Sequence, residues 1–161
     1  MPFWYESVLL SGGIMDKIGE YVDRLYACSN RIDGWYYIVS KKLGMSGSKF
    51  ILLYDLADGK PHSQKQICET LLIPKTTLNT VVRGCVAEGY ITLSGGREKL
   101  MELTPAGREY IDMVLVDVIA AENSAMESTI EEFGAGFVDA MERFESALGG
   151  ELKRRVLGGE A

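Results

Sequence analysis

The chain has 161 residues, 17 Lys and Arg against 23 Asp and Glu for a formal charge of −6, and 47 % hydrophobic residues. That composition excludes a disordered chain and fits one ordinary soluble domain with helical extensions. It also excludes a membrane-spanning helix: the longest run without a charged residue, Ser7 to Met15, is nine residues, and a span needs roughly twenty.

From Ile14 to Leu43 the apolar residues recur three and four apart, which is helix spacing. Asn30 to Gly34 weakens the middle, so two helices or one kinked helix are expected, closed by Gly44. A short helix follows from about Ser48 to Ala57, with Phe50, Leu53 and Tyr54 inward. Asp58-Gly59-Lys60-Pro61 reads as a turn. Ser63-Gln64-Lys65-Gln66 is a capping box, in which Ser63 covers the helix start and Gln66 reaches back. The short helix it opens carries Ile67, Leu71 and Leu72 and is interrupted by Pro74. Pro74 then opens a helix at a position where its missing N–H costs nothing. That helix, residues 75–88, is closed by Gly89.

Tyr90 to Leu93 and Arg97 to Leu103 read as two strands around the Ser94-Gly95-Gly96 turn. Thr104-Pro105 is an N-cap with proline at the first helical position. A long helix is expected from Pro105 to about Ser128 and a last one from about Ile130 to Val156, with Gly149-Gly150 as a candidate interruption. The fold class is therefore mainly α with a small β-hairpin.

Charge is uneven along the chain. Residues 41–99 hold nine basic against five acidic side chains, and residues 110–149 hold nine acids against Arg143 alone. A basic middle and an acidic tail suggest different partners. Cys28, Cys68 and Cys85 are odd in number and widely spaced, so no disulfide framework is expected, and His62 is the only histidine. No metal site and no cofactor are expected from this set. The N-terminus has no basic start and carries Glu6 inside its apolar stretch, so a secretory signal is not expected and the cytoplasm is the expected location.

Short capped helix, tight turn, second helix and hairpin, in that order, make a helix-turn-helix with a wing. A helix that enters a major groove roughly 12 Å wide needs an apolar inner face and small, hydrogen-bonding outer residues. Residues 75–88 fit: Leu78, Val81, Val82 and Cys85 fall inward, while Lys75, Thr76, Asn79, Thr80 and Arg83 fall outward. Thr77 beside them, and Ser63 and Gln64 at the start of the preceding helix, complete the candidate contacts. Arg97 and Lys99 at the hairpin tip suit DNA backbone or minor groove.

At these residues the sequence resembles the MarR family of bacterial transcriptional regulators. The resemblance is carried by Ser63 to Cys68, by Pro74 to Val82, by Glu88-Gly89-Tyr90-Ile91, and by Arg97 through Arg108. Leu103-Thr104-x-x-Gly107 is the most specific element. Two departures stand out. The wing lacks the family's Asp, with Gly95 in its place, and Cys85 stands where a large aliphatic residue is usual. The resemblance implies a homodimer on a pseudo-palindromic operator in double-stranded DNA. On this reading residues 1–46 and 105–161 supply dimerisation helices. Residues 47–104 form the DNA-binding domain, with the recognition helix at 75–88 and the wing at 91–103. Trp4, Tyr21, Tyr26, Tyr110, Met113, Phe137 and Phe144 agree independently, because a winged domain alone could not cover them.

The resemblance also implies a small aromatic effector, for which Trp35, Tyr36 and Tyr37 are candidate pocket residues. The expected function is a repressor released by such an effector. Two alternatives stand beside it: a winged-helix protein-interaction module without DNA binding, and a thiol-based redox sensor using Cys28. An enzyme is not expected, because no base, nucleophile and orienting group come together.

Overall fold

A computed structural model describes residues 14–96 and 99–158. Chain contacts divide into two compact units, one ending at Ile111 and one starting at Asp112. Among the described residues no helix is long and apolar enough to cross a membrane.

The first unit begins with α1 (Ile14–Lys42), a single uninterrupted helix where two helices or one kinked helix were expected. Gly34 lies inside it with nothing within 4 Å of where a Cβ would stand. One interior glycine costs a helix only about 1 kcal/mol, and no proline is present to break this one. The helix ends as Gly44 turns to φ +72°. There the Gly44 N–H donates to the Lys41 carbonyl at 3.1 Å and the Met45 N–H to the Ser40 carbonyl at 3.0 Å. That bonding satisfies the last orphan carbonyls and folds Met45 into the core.

Next come α2 (Gly47–Asp55), capped by the Ser46 hydroxyl, and a 3-10 turn at Leu56–Asp58. A two-residue strand, β1 (His62–Ser63), leads into α3 (Gln64–Leu71) and α4 (Lys75–Ala87). Pro74 is the N-cap of α4 rather than its first helical residue; it is extended, and its carbonyl accepts from the Leu78 N–H at 3.1 Å. The wing strands are β2 (Ile91–Ser94) and β3 (Leu100–Leu103), the second shorter than expected. The sheet has the order β1-β3-β2, all antiparallel, with Ser63 opposite Leu100 and Ser94 also opposite Leu100. Leu52, Leu53, Leu56, Ile67, Leu78, Val82, Cys85, Met101 and Ile111 form its core.

Helix α5 (Pro105–Phe133) runs into the second unit, which also holds α6 (Gly136–Arg155). The break falls at Gly134, φ +80°, five residues later than expected. Thr129 does not cap a new helix; its hydroxyl donates back to the Ala125 carbonyl at 2.8 Å. Gly149 and Gly150 stay inside α6.

Candidate nucleic-acid interface

The candidate interface comprises the start of α3, the exposed face of α4 and the wing. The capping box is formed: the Ser63 hydroxyl accepts from the Gln66 N–H at 3.2 Å, and the Gln66 side-chain carbonyl accepts from the Ser63 N–H at 2.7 Å. Ser63 is therefore buried and committed to the cap, while Gln64 beside it is half-buried. The helix ends at Leu72, which sits in the left-handed region at φ 50° and is fully in solvent. Pro74 dictates this, because it pushes the residue before it into extended backbone and leaves no room for another helical turn.

Along α4, Lys75, Thr76, Thr77, Thr80 and Arg83 are exposed and Asn79 is half-buried. Leu78, Val82 and Cys85 are buried on the opposite side, so the apolar face locks the helix into the core and aims the polar face outward. Burial raises the Cys85 thiol pKa, partly opposed by the nearby Lys49 charge. The Thr80 hydroxyl donates to the Thr76 carbonyl at 3.1 Å. Its proton is thereby used, and in this rotamer Thr80 offers only acceptor lone pairs outward. No acid lies in the first turn of α4. Its free N–H groups and Lys75 make that end favourable for an anion.

In the wing, Gly95 has φ +82°. The turn reverses at this residue in a conformation that glycine adopts freely. Lys99 folds back, its Nζ donating to the Gly95 carbonyl at 3.1 Å. Arg97 lies outside the described residues.

The junction after the wing has a physical basis. The Thr104 hydroxyl donates to the Gly89 carbonyl at 2.6 Å and accepts from the Gly107 N–H at 2.9 Å. It joins the end of α4 to the start of α5 and caps α5 at the same time. A Cβ on Gly107 would stand 2.0 Å from the Tyr90 carbonyl oxygen. Arg108 continues the join, its guanidinium donating to the Ala57 carbonyl at 2.6 Å.

Sequence reasoning missed a second cluster. Lys49 of α2 forms an ion pair with Glu88, the C-cap of α4, and lies 5.1 Å over the Tyr90 ring and 5.9 Å from the Tyr110 ring centre. Those two rings stack at 4.4 Å, 8° from parallel. Burial disfavours the Lys49 ammonium, but the Glu88 hydrogen bond and charge outweigh it and raise its pKa. His62 is half-buried in β1 with Nε2 2.9 Å from the Asp58 carboxylate. The Lys60 backbone N–H and His62 together lower the Asp58 pKa.

A cavity of about 770 Å³ lies beside α2, lined by Tyr36 and Tyr37 of α1 and by Phe50, Ile51 and Tyr54 of α2 among others. Trp35, expected with them, does not line it and is 66 % exposed. Asp33 and Asp55 do line it and were not anticipated, because nothing in the sequence brings residues so far apart together. Cys28 is exposed, with Arg31 3.6 Å from its sulfur, and Cys68 is half-buried.

Comparison with known proteins gives a consistent picture. Residues 43–98 match the MarR family model. A MarR family regulator from Neisseria meningitidis superposes with TM-score 0.68 at 20 % identity, over 92 % of this chain and 100 % of that one. A structure described as a MarR family transcriptional regulator from Listeria monocytogenes, complexed with a 26-mer DNA, superposes with TM-score 0.67 at 17 % identity, over 94 % and 99 %. Staphylococcus aureus MarR in complex with salicylate and kanamycin gives TM-score 0.65 at 20 % identity, over 83 % and 93 %. No curated protein matches the chain. The fold is thus that of MarR family transcriptional regulators.

Proposed function

We propose that this chain, with its MarR-family segment at residues 43–98, is a dimeric, sequence-specific DNA-binding repressor released by a small-molecule effector. The observation that carries the reading is the polar face of α4. Thr76, Thr77 and Thr80 are exposed between Lys75 and Arg83, on a helix anchored from behind by Leu78, Val82 and Cys85. In this reading Asn79 and the threonines meet base edges, Lys75, Arg83 and the α4 N-terminus meet phosphates, and Gln64 meets the flanking backbone, while Ser63, buried in the cap, makes no contact of its own. The wing adds Arg97 and Lys99.

Dimerisation is supported separately in each unit. Ile18, Tyr21, Val22 and Tyr26 are exposed on α1, and Phe137, Val138, Met141, Phe144 and Leu148 are partly exposed on α6. Such apolar stripes mark interaction faces. The cavity supports an effector, which must bind the DNA-competent and released states with different affinity to act.

The test is binding to duplex DNA from the upstream region, with random duplex as competitor, at two salt concentrations. Competitor-resistant, salt-sensitive binding is expected. Thr76→Ala and Asn79→Ala should each cost about 1–3 kcal/mol on the specific site and much less on random DNA, whereas Arg97→Ala should weaken both and flatten the salt slope. Equal losses on both duplexes for all three variants would remove the base-reading role of α4. Binding without salt dependence would favour the protein-interaction alternative.

A further inference from the structure

We propose that the cavity beside α2 takes an organic cation with aromatic or apolar bulk, its charge held by Asp33 and Asp55. The regulatory use of such a ligand rests on the repressor reading; the binding itself does not, since all lining residues belong to the first unit and no DNA is needed.

The wall is aromatic. Tyr36 and Phe50 have ring centres 6.0 Å apart, and Phe50 and Tyr54 5.9 Å apart, both pairs tilted. Ring faces carry partial negative charge and attract cations. Tyr37, in the same wall, already has the Lys41 ammonium 5.4 Å from its centre. A volume of about 770 Å³ accommodates a ligand bearing several rings.

The formal charge of the lining has one sign. Asp33 and Asp55 are present, and among the described lining residues there is no Lys, Arg or His. Asp55 is also the last residue of α2, where the helix dipole is negative and adds to its carboxylate. The positive end of that helix, at Gly47 and Ser48, lies at the opposite end of α2 and can satisfy a neutral acceptor group. An anionic ligand would face two carboxylates, with the Lys41 ammonium held over the Tyr37 ring and outside the lining. A cation gains both carboxylates and the rings.

The test uses tetraphenylphosphonium and tetraphenylborate, which match in shape and differ in sign. Each is titrated into the full chain, free of DNA, by isothermal calorimetry at fixed ionic strength. The phosphonium is expected to bind, and the borate to bind at least about tenfold more weakly. Asp33→Asn and Asp55→Asn keep side-chain shape at exposed or half-buried positions, so the fold is retained. Each should weaken the phosphonium about three- to tenfold and leave the borate no weaker. Ile51→Trp, which fills the cavity from its half-exposed rim, should abolish phosphonium binding. Equal or tighter borate binding overturns the proposal, as does phosphonium affinity unchanged in both Asn variants or surviving Ile51→Trp. Phosphonium binding that leaves affinity for duplex DNA untouched keeps the site and removes its regulatory use.

Discussion

Lys49 and Glu88 tie α2 to the end of α4. The Lys49 side chain is 18 % exposed and Glu88 is 46 % exposed, so the pair is shielded on one side only. The ammonium also sits where the negative end of the α4 dipole and the faces of Tyr90 and Tyr110 favour it. Lys49→Met is expected to cost about 1–2 kcal/mol and Glu88→Gln about 0.5–1 kcal/mol. The pH dependence follows from the raised Lys49 pKa. An unfolded lysine titrates near 10.5. The contribution of the folded ammonium is complete below that value and is lost as pH rises through the higher folded value. Urea unfolding at pH 8 and above pH 10.5 should show the gap between wild type and Lys49→Met shrinking at the alkaline end.

Gly107→Ala is expected to be the most damaging single methyl in the first unit. The added carbon would meet the Tyr90 carbonyl at 2.0 Å, and backbone on both sides leaves no flexible atom to yield. A loss of about 3 kcal/mol or more is expected. Denaturant midpoints check it; a change under 1 kcal/mol would mean that the α4–wing–α5 junction relaxes easily.

Leu72 holds left-handed backbone that glycine adopts without strain, and its side chain is 84 % exposed. Leu72→Gly should raise stability by about 0.5–1 kcal/mol, strain relief exceeding the added chain entropy. A lower melting temperature would show that Leu72 makes contacts worth more than the strain.

Thiol accessibility separates the cysteines. Burial raises the Cys85 pKa, so both access and thiolate fraction are low. In native protein a thiol reagent is expected to modify Cys28 rapidly and Cys85 only when denaturant is added. Mass mapping of the labelled sites reads the result, and early labelling of Cys85 would mean that α4 opens locally.

The α6 stripe predicts the last outcome. Phe144→Arg places a charge among Phe137, Met141 and Leu148, and light scattering at micromolar concentration should shift from dimer to monomer. An unchanged mass would exclude α6 as a principal contact.

The winged helix-turn-helix was legible because local chemistry marks its boundaries. Ser63 with Gln66, Pro74, Gly89 and Thr104-Pro105 each act within a few residues. The expected faces of α4 match the burial of Leu78, Val82 and Cys85. What escaped depended on distance along the chain. The end of α5 was expected at about Ser128, but the Thr129 hydroxyl bonds back to Ala125, and a hydroxyl bonding backward is indistinguishable in sequence from one capping forward. Lys49 and Glu88 are 39 residues apart, and Asp33 and Asp55 come to line one cavity only because α1 and α2 fold against each other. β1 has two residues, too few for any alternation to show.

That small strand has a mechanical consequence. Through β1 the wing is stitched to the residue that caps α3, with Ser63 serving as backbone partner of Leu100 and as helix cap. A push on the wing is transmitted to the helix-turn-helix through main-chain bonds, without a soft joint at its base. β1, β3 and the start of α3 therefore move as one piece, like the head of a tool.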